Sequence, residues 1–221
     1  MEIVEGIHQV DGVIANTYII VNGNKLTLID TGFIRSAGKI ENYIKNLGFD
    51  LSAVSTIIIT HFHIDHTGNA KKLKEATGAK VAVHEAEADF VMQKKPPPKP
   101  KNVLVKALGV VKAAPVEPDI ILKDGDMIEG LQVIHVPGHS PGSIALLDTK
   151  RKVMFVGDAI FFADGHVEGP DEKHSIDMTL ARESLGKLAG FDFEVMLSGH
   201  KDPLMVDASK KVKEFVETLK K

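Results

Sequence analysis

The chain contains no cysteine and no tryptophan, and aromatic residues make up only 5% of it. Without cysteine there is no disulfide, no thiolate metal site and no cysteine nucleophile, so any metal must be held by nitrogen and oxygen. The shortage of rings leaves no evident stacking surface for bases or sugars. Strong charge of one sign is also missing. The formal net charge is -3 over 221 residues, which provides no field to draw in nucleic acid or an anionic membrane. No apolar run reaches the ~18 residues of a membrane span. The first residues, Met1-Glu2-Ile3-Val4-Glu5, lack the basic-then-apolar layout of a secretory signal. These absences set the expectation of a cytoplasmic protein that meets a small-molecule substrate and neither nucleic acid nor a membrane. Self-association as a homodimer is left open. The length suits a single domain, residues 1–221, able to bury its own core.

What the chain does have is β-prone runs alternating with helical patterns. Tyr18–Val21 and Leu26–Ile29 flank Asn22-Gly23-Asn24, a hairpin signal. Ile40, Tyr43, Ile44 and Leu47 recur at helical spacing before Gly48, a plausible stop. Val54–Thr60 is a nearly unbroken β-branched run, the pattern of a strand buried on both faces. A short helix is expected from about Thr67, with Ala70 and Leu73 inward and Gly78 closing it. Further strands are expected at Lys80–Val83, Gln132–Val136, Ser143–Leu147, Val153–Val156 and Glu194–Leu197, with helices at Asp177–Leu188 and around Val212, Phe215, Val216 and Leu219. The Lys/Pro run from Lys94 to Lys101 favours extended backbone and reads as a surface connector. After it, Val103, Leu104, Ala107, Leu108 and Val111 form an apolar helical face. The stretch of about 90–118 is therefore either a helix packed on the body or a lid over the functional site.

Histidine is the unusual entry, with 10 copies. The densest group is His61-Phe62-His63-Ile64-Asp65-His66, placed where an apolar strand ends. In extended backbone, residues two apart face the same side, so His61 and His63 can share one ion. Asp65 and His66 fall in the turn that follows, which can aim them at a neighbouring ion. Imidazole with carboxylate suits Zn²⁺, Fe or Mn²⁺ rather than Ca²⁺. A single histidine there would be an ordinary cap, but three with an aspartate in six positions favour metal. His139, Asp158 and His200 share this placement. Each follows a glycine just past an apolar strand, where the backbone can bend sharply. His8 and His135 lie within strands and read as structural. His84 follows a strand and could line the site, while His166 and His174 occupy the loop after Asp158 and could border a substrate.

The His-x-His-x-Asp-His pattern followed by His139, Asp158 and His200, with the early Asp30-Thr31-Gly32, resembles the metallo-β-lactamase superfamily and its glyoxalase II-like hydrolases. The resemblance implies an α+β fold, a four-layer αββα sandwich with the site at one edge. It implies two divalent metal ions, zinc first and iron or manganese as alternatives. His61, His63 and His139 would hold one ion, Asp65, His66 and His200 the other, and Asp158 would bridge them. Asp30 would support the site without ligating. Two such ions activate water and polarise the carbonyl it attacks, and Asp65 could also pass a proton to the leaving group as the catalytic acid. The expected reaction is hydrolysis of an ester-like bond: thioester, lactone or related acyl substrate. Full glyoxalase II enzymes carry a helical glutathione-binding domain after the last histidine, and here little follows His200. The alternative is a mononuclear iron persulfide dioxygenase, with nuclease and β-lactamase activity less favoured.

Overall fold

The computed structural model describes residues 1–96, 98 and 113–219. They fall into two compact units, one of residues 1–96 with 113–121, the other of 122–219 with Pro98. The expected helix over Val103–Val111 lies outside the described residues, and so does most of the lid reading of 90–118. Among the described residues no helix is long and apolar enough to cross a membrane.

The first unit is a sheet whose strands follow sequence order: β1 (Glu2–Val4), β2 (Ile7–Gln9), β3 (Tyr18–Asn22), β4 (Lys25–Ile29), β5 (Val54–Ile58), β6 (Lys80–His84) and β7 (Ile120–Leu122). The expected hairpin joins β3 to β4, with Tyr18 opposite Ile29 and Gly23 at φ +62°. From β4 onward the pairing turns parallel, β4 with β5 and β5 with β6. Parallel neighbours need crossovers, and these are α1 (Ala37–Asn46) and α3 (Ala70–Thr77). Leu28, Ile57 and Val81 from the strands meet Ile40, Ile44 and Leu73 from the helices in one core. That burial explains the β-branched run before the histidines. β4, β5 and β6 run the same way, so Asp30, the His61 cluster and His84 all emerge at one edge of this sheet.

The second unit has a sheet in the order β14-β11-β10-β9-β8. Its strands are β8 (Met127–Ile128), β9 (Leu131–His135), β10 (Ile144–Asp148), β11 (Val153–Gly157) and β14 (Val195–Ser198). β10 is antiparallel to both β9 and β11, and β11 is parallel to β14. The C-terminal ends of β9, β11 and β14 therefore share an edge, and the chain leaves those ends toward His139, Asp158 and His200. α5 (Met178–Leu188) and α6 (Ala208–Thr218) pack Leu185, Leu188, Val212 and Val216 against Met154, Val156 and Met196. Leu219, expected on the apolar face of the last helix, lies past its end and is exposed. A small hairpin of β12 (Phe161–Ala163) and β13 (His166–Glu168), not evident in the sequence, follows Asp158.

Candidate metal centre

In the first unit Asp30 organises the site. It sits at φ +58° just past β4 and is almost fully buried. Its Oδ1 accepts the Thr60 N–H at 2.8 Å, and its Oδ2 accepts the Thr60 hydroxyl at 2.7 Å. The Thr60 oxygen, having donated, offers only lone pairs to His61 Nδ1, 3.1 Å away. The proton of His61 therefore stays on Nδ1, and Nε2 is the electron-pair donor. Asp30 Oδ2 also lies 2.8 Å from His66 Nδ1, which fixes the same tautomer there. One carboxylate thus sets the donor atom of two imidazoles.

These donor atoms fall into pairs. His61 Nε2 and His63 Nδ1 are 3.1 Å apart. Two nitrogens bound to one cation at about 2.0–2.1 Å in tetrahedral geometry stand about 3.3 Å apart, so this spacing is that of ligands sharing an ion. His66 Nε2 and Asp65 Oδ2 are 4.0 Å apart and make a second, looser pair.

The sequence placed Asp65 and His66 in a turn before a helix beginning near Thr67. They lie instead inside a separate helical turn, α2 (Ile64–Thr67), and the next helix, α3, starts at Ala70 after the N-cap residue Asn69. The break has a packing cause. Gly68 passes so close to the backbone of residues 32–34 that a Cβ there would lie 2.5 Å from Ile34 N and 2.7 Å from Gly32 O. The Asn69 amide then donates to the carbonyls of Thr31, Gly32 and Phe33. Thr31 in turn donates its N–H and hydroxyl to the His66 carbonyl at 2.8 and 2.7 Å. His61 and His66 are fully buried, because the segment is held down on Asp30 and Thr31.

The second unit carries two matching pairs on one shared oxygen. Asp158 Oδ2 lies 3.6 Å from His139 Nε2 and 3.4 Å from His200 Nε2. His139 is held from behind: its Nδ1 lies 3.4 Å from Ser175 Oγ, whose own proton goes to the Asp171 carbonyl at 2.7 Å. As with Thr60, the hydroxyl can only accept, so Nε2 is left to ligate. Burial would raise the Asp171 carboxyl, but the Lys173 N–H and the His174 ring outweigh it and hold it below the usual carboxylate range. A charged Asp171 keeps this turn in shape. Gly138 sets the angle of approach at φ +130°, where a Cβ would lie 2.2 Å from Ala181 N on α5. Its carbonyl accepts the N–H groups of Ile176 and Asp177, and Asp177 caps α5.

The remaining histidines are placed as follows. His8 and His135 lie in β2 and β9. His84 is buried and caps a helix, α4 (Glu85–Val91), by accepting the Ala86 N–H. His166, at the start of β13, and His174 are exposed, bonded to Asp164 and Asp171 just before them in the chain. Thr60 and Ser175 were missed as site residues. Thr60 had the signal of adjacency to His61, whereas Ser175 is 36 residues from His139 and had none.

The donor set of oriented imidazoles and carboxylates, without sulfur, can hold a metal ion and fits borderline divalent cations. Residues 10–200 match the sequence profile of the metallo-beta-lactamase superfamily. The chain belongs to the metallo-β-lactamase superfamily. It is similar to the probable metallo-hydrolase YflN of Bacillus subtilis, 32% identical over 234 aligned positions that cover 92% of this chain and 86% of that one. It also resembles the acyl-coenzyme A thioesterase MBLAC2 of Bos taurus, 30% identical over 66% of this chain and 58% of the relative. The hydroxyacylglutathione hydrolase GloC of Haemophilus influenzae is 25% identical over 86% of this chain and 88% of its own. Among solved structures, the metallo-beta-lactamase family protein TTHA1429 of Thermus thermophilus superposes with a TM-score of 0.78 at 23% identity, covering 99% of this chain and 81% of that one. TTHA1623 in a di-iron-bound form gives 0.74 at 25% identity, over 95% and 98%. The metallo-β-lactamase fold expected from the sequence is therefore shown, and the chain is a hydrolase of this superfamily that works with divalent metal ions.

Proposed function

We propose that this metallo-β-lactamase superfamily member is a two-metal hydrolase of acyl substrates, thioesters first. In this reading His61, His63 and His139 hold one ion, Asp65, His66 and His200 hold the other, and Asp158 bridges them. Zinc is the expected metal, with iron or manganese as substitutes. The observation that carries the reading is the pairing of donors: two ligand pairs in the first unit, and two in the second that share Asp158 Oδ2.

Divalent cations held by these residues would lower the pKa of bound water to about 7 and polarise a carbonyl oxygen. The chain supplies the rest. Asp30, Thr60 and Ser175 keep the imidazole protons turned away from the centre. Asp158 would supply a negative charge to offset the repulsion between two such cations. Asp65 is one of the partly exposed ligands, with 26% of its side chain accessible, and so can reach a substrate. In hydrolysis the water oxygen forms a bond to the acyl carbon and gives up a proton to the Asp65 carboxylate, the carbon–sulfur bond breaks, and Asp65 hands that proton to the departing thiolate. The named activities of the MBLAC2 and GloC relatives support an acyl substrate of this kind.

The test is a panel of acyl thioesters, lactones and nitrocefin assayed with zinc-, iron- and manganese-loaded protein, with oxygen uptake followed on a persulfide. Thioester cleavage with zinc and no oxygen uptake is expected. Oxygen consumption on a persulfide with iron, and no thioester cleavage with any metal, would move the enzyme to the dioxygenase reading. Asp65→Asn with both metals retained should lose turnover most for thioesters with poor leaving groups, and normal turnover would remove the proton-transfer role.

A further inference from the structure

The metal-ligand loop contains a backbone donor that neither sheet nor helix uses. Residues 59–63 belong to no strand or helix, so their N–H groups need partners of another kind. Ile59 N–H goes to the Ala82 carbonyl, and Thr60 N–H to Asp30. Phe62 N–H, midway between His61 and His63, goes to Glu87 Oε2 at 2.7 Å. Glu87 lies in the first turn of α4 and has no exposed surface. Enclosing a carboxyl group is costly unless its oxygens are partnered, and the short bond from the Phe62 amide supplies one such partner.

The same helix grips the Phe62 side chain. Phe90, one turn on from Glu87, lies 4.9 Å from the Phe62 ring at an interplanar angle of 33°. The Phe62 ring also meets His63 edge-on, with centroids 4.7 Å apart. α4 therefore holds residue 62 by its backbone and by its ring. Rotation of that residue would swing the two flanking imidazoles apart, and their 3.1 Å separation is what suits them to one ion.

We propose that Glu87, through the Phe62 amide, is the positioning residue for the His61–His63 half of the metal centre. The proposal rests on the two-metal reading above and adds a residue that touches neither ion nor substrate. What matters is an acceptor at Glu87 Oε2. Glu87→Gln keeps one, and Glu87→Met fills the same space without one.

The experiment measures zinc and cobalt(II) affinity on the full chain by competition with a chromophoric chelator, with the unfolding temperature of each metal-free variant as the control for folding. Glu87→Met should weaken one of the two metal equivalents by about 10–100-fold, the usual effect of losing an outer-shell partner. Glu87→Gln should stay within about twofold of the parent, the ordinary scatter between independent sites. In a His63→Ala background, Glu87→Met should add no more than about twofold. Unchanged affinity in Glu87→Met, equal losses in Met and Gln, or full additivity with His63→Ala would each overturn the proposal. If the methionine variant does not fold, Glu87→Asp, which withdraws the carboxylate by one methylene, takes its place with the same expected loss. A parent chain that binds no metal, or a His63→Ala chain that keeps both ions at full affinity, would instead defeat the two-metal reading.

Discussion

Asp158→Ala should abolish the second metal equivalent and lower kcat/KM by on the order of 10³-fold or more, a larger loss than the 10–100-fold typical of a residue that only supports a ligand. The reason is the position of a single oxygen. Asp158 Oδ2 stands 3.6 Å from the His139 donor nitrogen and 3.4 Å from that of His200. If Asp158 bridges as proposed, removing it takes a ligand from both ion positions and the negative charge between them. Asp158→Asn tests the charge separately: its amide keeps the shape but brings either a neutral oxygen or a donor N–H to the same place. Metal analysis with thioester kinetics checks both. Two tightly held ions and near-normal turnover in the alanine variant would show that Asp158 is not a bridge.

Asp30 gives the second large effect, through residues it touches rather than through a metal. In Asp30→Ala, Thr60 and His66 lose their buried acceptor together. Each unpaired buried donor costs about 1–3 kcal/mol, so the unfolding temperature of the metal-free protein should drop well below the parent's. Freed to protonate on Nε2, His61 and His66 would each present an N–H where a lone pair is needed. With about 10–100-fold for each imidazole, the combined loss in metal binding should reach about 10²–10⁴-fold. Asp30→Asn discriminates further. An amide has one oxygen and one NH₂, and cannot accept from the Thr60 amide on one side and from the Thr60 hydroxyl and His66 on the other. It should fold better than the alanine variant and bind metal almost as poorly. A well-folded Asp30→Asn that retains both ions would show that the tautomers are set elsewhere. Calorimetry and metal titration read the two effects independently.

The parts of this arrangement that could be read in the chain are those set by local pattern. Asn22-Gly23 announced the β3–β4 hairpin because a tight turn of that kind favours positive φ, and Gly23 has it. The unbroken Val54–Thr60 run announced a strand covered on both faces. The His61–His66 cluster was legible because few roles besides metal binding need so many imidazoles and a carboxylate in so short a stretch. What could not be read depends on contacts distant in sequence. The split between α2 and α3 comes from Gly68 passing over residues 32–34, which no helical period records. Ser175 reaches His139 across 36 residues. Glu87 looks like any acidic residue in the first turn of a helix until the fold brings it to Phe62. Burial of His61 and His66 was missed for the same reason, since the sequence shows a loop but not what the loop folds down upon.

The claim under all of these is that the oriented imidazoles and carboxylates of both units close on two cations. The most direct measurement is metal stoichiometry: protein stripped with chelator, titrated with zinc, and read by mass spectrometry under native conditions. Two ions per chain are expected, falling to one in His63→Ala and to one in His200→Ala. A chain that takes up no ion, or that keeps its full complement when either histidine is removed, would contradict the account.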